Sequence, residues 1–323
     1  MVIIELYSCV VFSIKGNNLA GKLLNLNQNS ITDYMKSWLE NRIFYPNQTL
    51  NIGGRLIHLK EPKIMGILNV TPDSFYDGGR YDSDAAILEQ TERMMKHGAT
   101  FIDVGGYSSR PGADEIPVDE EIRRISKALK LIVKNFPEAL ISIDTFRSQV
   151  ANIAIQEGAG MINDVSGGGL DSSMFELVAS RQVPYVVMHM RGNPKTMNGL
   201  TNYENLTGDI LSFFHDKIHK LTSLGIKDII IDPGFGFAKT IEQNFALLNS
   251  LHHFNLLEKP LLVGLSRKSM IWKTLKTTPE HALNGSTCLN TIALMKGARI
   301  LRVHDVKEAS EACQLFSLTT AAS

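Results

Sequence analysis

The sequence predicts a single (β/α)8 barrel with a short N-terminal extension, and three observations carry that expectation. Eight short apolar runs between residues 64 and 303 alternate with longer segments of helical character. Each run stops on a polar, charged or glycine residue, as strands do when their C-terminal ends share one rim. Gly-x-Gly-x-x-Gly is missing after the first run and no P-loop follows, which disfavours a doubly wound nucleotide-binding sheet.

Taken in order, Ile64–Leu68 runs into Asn69, and Phe101–Val104 into Gly105 and Gly106. Leu140–Ile143 ends at Asp144, Met161–Ile162 at Asn163, and Val183–Met188 at His189. Ile229–Ile231 ends at Asp232, Leu261–Leu265 at Ser266-Arg267-Lys268, and Ile300–Val303 at His304. Helices are expected near Asp84–His97, Asp119–Asn135, Ser148–Glu157, Ser172–Arg181, Asn205–Leu224, Gln243–Leu251, Gly285–Lys296 and Lys307–Leu318. Gly98, Gly158, Gly225 and Gly297 each follow a helical segment, where a left-handed residue stops the helix. Alternating β and α units of this kind imply a parallel sheet, and eight of them favour closure.

The 323 residues, 44% hydrophobic and 20% charged, are enough for a large core. One barrel typically takes about 250 residues, so residues 51–323 are assigned to it and 1–50 to an extension of unknown role. A short helix around Thr32–Asn41 and a hairpin over Asn51–Leu59, turning at Gly53-Gly54 and closing the barrel floor, are expected; Met35 is a second possible start. The formal net charge is zero, so no global field favours nucleic acid or an acidic membrane, and an anionic ligand must be held locally. Cys9, Cys288 and Cys313 are odd in number and far apart, against a disulfide framework or structural zinc. Met1–Ile14 is too short to span a bilayer and lacks the features of a signal peptide. A cytoplasmic protein is expected.

Three groups of residues carry chemistry. Asn69 to Gly79 is a long polar loop suited to a mobile lid, and Gly105 to Gly112 combines close-approach glycines with hydroxyls and the Arg110 guanidinium. Asp144, Asn163 and Asp232 are acceptor-rich groups on one rim, matched to a flat heterocycle with several N–H donors along an edge. Lys268, Arg302 and His304 follow or end the seventh and eighth strands, where barrels frequently bind phosphate. In the loop after Asp232, Phe235 reads as core and Phe237 as a wall for an aromatic ligand. His215 and His219 have the spacing of a zincin helix but Asp216 where that motif needs Glu, on an outer helix, so no metal is assigned there. His252-His253 and the Gly167–Gly169 run read as a solvated helix end and a flexible loop.

Together these segments resemble the dihydropteroate synthase family from about Lys63 to the last helix. The resemblance rests on Met65-Gly66-Ile67-Leu68-Asn69-Val70-Thr71-Pro72-Asp73-Ser74-Phe75, on Asp103 to Gly112, and on Ile143-Asp144-Thr145. Ile162-Asn163-Asp164-Val165, Asp232 to Lys239, Ser266-Arg267-Lys268-Ser269 and Arg302-Val303-His304-Asp305 complete the set in family order. It implies condensation of 6-hydroxymethyl-7,8-dihydropterin diphosphate with 4-aminobenzoate to 7,8-dihydropteroate and pyrophosphate, in folate biosynthesis. By matched position, Asp144, Asn163, Met188, Asp232 and Lys268 would hold the pterin. Asn69, Arg302 and His304 would bind the diphosphate, with Mg2+ at Asn69. Phe75, Ser109, Arg110, Pro111, Phe237 and Ser269 would form the 4-aminobenzoate pocket. Catalysis would fall to Asp144, Asp232, Lys268, Arg302 and His304. A monofunctional, bacterial-type cytoplasmic homodimer, of a family targeted by sulfonamides, is implied.

Three positions depart from the family pattern: Tyr107 stands where Glu is usual, Ser109 where Thr is usual, and Ala238 where Gly is common. Two other functions compete. A corrinoid-type pterin-binding methyltransferase would share the acceptors but has no diphosphate to neutralise, which the first two loops and Arg302 with His304 argue against. A catalytically silent pterin-binding module is disfavoured by the intact first loop and Arg302.

Overall fold

The computed structural model describes residues 49–71, 83–107 and 115–321. Two short strands, β1 (Thr49–Ile52) and β2 (Arg55–His58), pair antiparallel around Gly53-Gly54, forming the expected hairpin. Eight parallel strands then alternate with helices. They are β3 (Lys63–Asn69), β4 (Phe101–Gly105), β5 (Leu140–Asp144), β6 (Met161–Asp164), β7 (Tyr185–Met188), β8 (Ile229–Asp232), β9 (Leu262–Val263) and β10 (Ile300–Val303). Neighbouring strands run in the order β8-β7-β6-β5-β4-β3-β10-β9, and a single parallel bridge between Ile231 and Leu261 brings β8 against β9. The barrel is therefore closed by its weakest seam, one bridge where every other pair of neighbours shares at least two.

The helices are α1 (Ser83–Lys96), α2 (Val118–Asn135), α3 (Ser148–Gln156), α4 (Met174–Arg181), α5 (Leu206–Ser223), α6 (Ile241–Asn249), α7 (Ser269–Thr274), α8 (Leu283–Met295) and α9 (Val306–Ala321). All eight expected helices are present. The glycines expected to stop four of them, Gly98, Gly158, Gly225 and Gly297, have φ between 81° and 109°, conformations that a side chain would strain. The addition is α7, whose six residues are too few to show helical periodicity. Among the described residues no helix is long and apolar enough to cross a membrane. The expected helix around Thr32–Asn41 lies outside the described residues.

Strand alternation sorts side chains between two cores. Ile102, Val104, Ile141, Ile143, Ile162, Tyr185, Val187 and Leu301 face the helices in the outer core. Met65, Phe101, Met161, Val186, Ile230, Leu262 and Ile300 face inward and pack with Leu50, Ile52 and Leu59 of the hairpin segment. The hairpin thus plugs the N-terminal end of the barrel, and a Cβ on Gly160 would lie 2.5 Å from Ile52 Cγ2. An apolar floor leaves only the opposite end for polar work.

Candidate active site

One step up from that floor, the inward positions of five strands become polar: Asp103 on β4, Ser142 on β5, Asn163 on β6, Asp232 on β8 and Arg302 on β10. Asn69, Gly105 and Asp144 form the next step, paired in register across β3, β4 and β5. Arg302 crosses the mouth. Its Nε donates to Asp103 Oδ2 at 2.7 Å and its Nη2 to Asp144 Oδ2 at 2.6 Å. Asn163 Nδ2 donates to the same Asp103 oxygen at 3.0 Å, which leaves Asn163 Oδ1 as the acceptor available to a ligand. Gly105 keeps the rim open: a Cβ there would lie 3.5 Å from Asn69 Oδ1 and 3.8 Å from Asp144 Oδ2.

On the other side, Lys268 stands at the N-terminal boundary of α7, with its Nζ donating to the Phe235 carbonyl and lying 4.8 Å from the Phe237 ring centroid. Asp232 Oδ1 accepts from Gly234 N at 2.8 Å. His304 Nδ1 and backbone N both lie against Ser266 Oγ, at 3.1 and 3.2 Å. Arg267 holds these two loops together by a paired contact to Asp305, at 2.9 and 2.6 Å. Met188 belongs to an apolar wall with Val165, Met190, Met197 and Ala238, flanked by Phe146 and Phe237. Phe235 is fully buried in the outer core, as expected.

Burial sets the electrostatics. Removal from water, reinforced by Asp103 and opposed by Arg302, pushes Asp144 up to about 7. Burial also raises Asp232, although Lys268 and the Gly234 N–H oppose the rise. It brings Lys268 down to about 8, with Asp232 offsetting part of the cost. Burial disfavours the charge of Arg302 too, but Asp103 and Asp144 outweigh it and hold its pKa above the ordinary value. The mouth therefore offers acceptors and donors whose charges are costly while they are paired only with one another.

The sequence-predicted residues Asn69, Asp144, Asn163, Met188, Asp232, Phe237, Lys268, Arg302 and His304 all come to this end of the barrel, and Ser269 opens α7 beside Lys268. Phe75, Ser109, Arg110 and Pro111 lie outside the described residues. Sequence reading missed three supports. Asp103 is fully buried beneath Arg302 and Asn163. Lys239 donates to Gly234 O at 2.9 Å and Phe237 O at 3.0 Å and lies 3.1 Å from His189 Nδ1, tying down the loop after β8. Glu121, also fully buried, accepts from Thr145 at 2.7 Å and Arg147 at 2.8 Å, and Arg147 in turn donates to Ile116 O.

Two of the departures from the family pattern find a physical setting here. The Tyr107 ring packs edge-on to Phe146 at 5.3 Å, and the Arg147 guanidinium lies 5.2 Å from its centroid. Ala238 adopts φ 51°, and its methyl group is buried in the methionine wall. The methyl contact compensates for a backbone conformation that costs a non-glycine residue roughly 1 kcal/mol. Ser109 lies outside the described residues.

The family model described as pterin binding enzyme matches residues 65–304. The dihydropteroate synthase of Escherichia coli (strain K12) is 42% identical over 274 residues, covering 83% of this chain and 95% of that protein. That of Synechocystis is 42% identical over 261 residues, covering 79% of this chain and 89% of its own. The crystal structure of Yersinia pestis dihydropteroate synthase with a sulfonamide drug complex is 40% identical, with a TM-score of 0.78 over 84% of this chain and 99% of that one. Xanthomonas albilineans dihydropteroate synthase with 4-aminobenzoic acid is 37% identical, with a TM-score of 0.79 over 85% and 98%. The same enzyme in complex with 7,8-dihydropteroate is 35% identical, with a TM-score of 0.76 over 84% and 99%. The family match, these identities and the shared barrel agree with the charged mouth, and the chain belongs to the pterin binding enzymes, among the dihydropteroate synthases.

Proposed function

We propose that the chain forms 7,8-dihydropteroate and pyrophosphate from 6-hydroxymethyl-7,8-dihydropterin diphosphate and 4-aminobenzoate, within folate biosynthesis. The observation that carries this reading is the meeting of the acceptors Asp144, Asn163 and Asp232 with the cations Arg302 and Lys268 at one end of the barrel. The pterin edge pairs its N–H donors with Asp144, the free oxygen of Asn163 and Asp232, while its ring rests on the Met188 wall. Lys268 donates to the ring, and Arg302 and His304 face the diphosphate. Phe237 and Ser269 contribute to the 4-aminobenzoate pocket, together with Phe75, Ser109, Arg110 and Pro111.

The reaction is dissociative. The bond between the pterin methylene and the bridging oxygen breaks, and its electron pair leaves with pyrophosphate. The resulting cation spreads into the pterin ring, where the fixed carboxylates Asp144 and Asp232 stabilise it. The aminobenzoate nitrogen then attacks the methylene, and its surplus proton leaves with the pyrophosphate. Arg302 and His304 stabilise the negative charge that builds on the leaving group. Pairing buried acceptors with N–H donors also gives selectivity, because a ring lacking those donors leaves the acceptors unsatisfied.

Magnesium would bind at Asn69, whose Oδ1 stands on the rim beside Gly105. Among the described residues no group of three or more His, Cys, Asp or Glu could cage a metal. Mg2+ needs no such cage, since it commonly takes one or two protein oxygens together with substrate phosphates and water. Asn69 would hold it, and when bound it would neutralise diphosphate charge.

A homodimer is the expected assembly, and the exposure of Met295, Leu315 and Leu318 on α8 and α9, at 68%, 67% and 71%, supports self-association. Light scattering checks it. The free thiols Cys288 and Cys313 suit the reducing cytoplasm.

Pyrophosphate release that requires both substrates tests the function. Tight binding of the pterin diphosphate without aminobenzoate-dependent turnover would favour a silent module, and corrinoid-dependent methyl transfer would favour the methyltransferase. Asp144→Ala should abolish pterin binding. Arg302→Ala should weaken the diphosphate substrate far more than the free pterin, and equal losses would count against its role.

A further inference from the structure

Asp103 lies one inward position below Gly105 on β4, at the level of Asn163 and Arg302. It has no exposed surface, so no substrate reaches it. Yet a single oxygen, Oδ2, accepts from both Arg302 Nε and Asn163 Nδ2. Its two partners serve different parts of the substrate in the proposed function, on which this inference rests: Arg302 the diphosphate, Asn163 the pterin.

The two carboxylates that hold Arg302 are not equivalent. Asp144 is at the rim, with a side chain 11% exposed, and it grips the terminal Nη2. Asp103 grips Nε, at the base of the guanidinium, and its side chain is 0% exposed. A ligand that takes the Asp144 carboxylate for its own N–H donors removes only the outer contact. The inner one stays. The same inner oxygen fixes the amide of Asn163, so that the acceptor end of that side chain points away from Asp103.

We propose that Asp103 is a positioning residue of the pterin diphosphate site, anchoring Arg302 and Asn163 together while substrate binding exchanges only the Arg302–Asp144 contact. Were Asp103 merely a satisfied core acid, its removal would affect stability and leave both half-ligands bound as before.

Asparagine separates the hydrogen bonds from the charge. Asp103 Oδ1 and Ser142 Oγ, side by side in register on β4 and β5, have no hydrogen-bond partner among the described residues. In Asp103→Asn the amide oxygen takes the Oδ2 position and still accepts from Arg302 and Asn163. The new NH2 group takes the place of Oδ1, which accepts no hydrogen bond, so no existing contact is lost. The conservative variant should therefore rescue what alanine loses.

Calorimetric binding of free 6-hydroxymethyl-7,8-dihydropterin and of inorganic pyrophosphate, measured separately, provides the test. Asp103→Ala should weaken both by about 10- to 100-fold, the range for a lost hydrogen bond to a charged group. Asn163→Ala should weaken the pterin alone and Arg302→Ala chiefly the pyrophosphate. Asp103→Asn should stay within about threefold of the parent for both, the residue of a contact kept without its charge. In turnover, KM for the pterin diphosphate should rise in Asp103→Ala while KM for 4-aminobenzoate holds. Asp103→Leu, which keeps the branched shape of the side chain, replaces alanine if that variant does not fold. The inference is overturned if the folded variant binds both half-ligands normally, loses only one, or is not rescued by asparagine. A parent protein that binds neither half-ligand overturns the proposed function and this inference together, an outcome distinct from an indifferent variant of a binding-competent parent.

Discussion

Pterin affinity should follow a bell-shaped pH curve, with its acid limb set by Asp144 and its alkaline limb by Lys268. The charged groups around Asp144 are Arg302 from β10, Asp103 from β4, Glu121 from α2 and Asp164 from β6, and burial with the three acids outweighs Arg302 to give about 7. A pterin edge offering N–H donors binds the carboxylate form, so binding expels the proton that the ligand-free protein holds at acid pH. With ionisation at about 7, the competent fraction is ~0.9 at pH 8 and ~0.09 at pH 6, roughly tenfold in affinity. Lys268, brought down to about 8, loses its charge above that value and weakens donation to the ring. Calorimetry in two buffers of different ionisation enthalpy measures affinity and proton release together. Release should approach one proton at pH 6 and vanish toward pH 8. Asp144→Asn should bind more weakly and flatten the acid limb alone. Affinity that stays level from pH 6 to 8, without proton release, would refute the reasoning. For folding the sign is reversed. An unfolded carboxylate ionises near ~3.9, so the stability this group contributes is complete below that pH and is lost as pH rises through about 7.

Three further outcomes follow from the supports of the mouth. Lys239→Met removes the donor that joins Gly234 O, Phe237 O and His189, and steady-state kcat/KM should fall by about tenfold or more; an unchanged value would mean the loop is held by other contacts. Gly234→Ala places a Cβ 2.0 Å from His189 O at φ 71°, so chemical denaturation should show a loss of about 2–4 kcal/mol, with pterin affinity falling too. Tyr107→Ala gives up the ring contact to Phe146 and the guanidinium contact to Arg147, together about 1–2 kcal/mol. Tyr107→Phe should keep the melting temperature, whereas equal melting of the alanine variant would dismiss the packing role.

Much of this arrangement was legible in the sequence because barrel strands announce their ends. Asn69, Asp144, Asn163 and Asp232 each interrupt an apolar run, and a parallel sheet carries all such interruptions to one side. Asp103 was passed over because it lies inside its run, flanked by Ile102 and Val104, where an acid reads as an irregularity. Only the pleat shows that it faces inward with Asn163 and Arg302. Lys239 and Glu121 were hidden for another reason. Each sits on a loop or helix outside the strands, and it ties its own segment to a distant one: Lys239 joins its loop to His189, and Glu121 joins its helix to Thr145 and Arg147. The Gly167–Gly169 run, expected to be a flexible loop, is a turn held by Asp164, which accepts from Ser166 N at 2.7 Å and Gly168 N at 2.9 Å. No local pattern announces that a buried carboxylate three residues upstream will organise glycines.

Along single strands the barrel changes from apolar to charged within two pleats: Phe101 to Asp103 to Gly105 on β4, Ile300 to Arg302 on β10, Ile230 to Asp232 on β8. Apolar side chains at the middle level would stabilise the protein more, since a buried ion pair seldom repays its desolvation. The observed choice makes sense if that level is not meant to satisfy itself. Asp144 and Asp232 stay at raised pKa, and Lys268 stays at a lowered one, because each lacks enough opposite charge to compensate for lost water. A ligand with N–H donors at one end and phosphate at the other supplies what both sets lack, and it does so in a direction fixed by their separation. The hairpin plug bears on the same point. By sealing the floor with Leu50, Ile52 and Leu59, it keeps water from relieving the strained charges from below, so that relief is available only at the mouth, where substrate arrives.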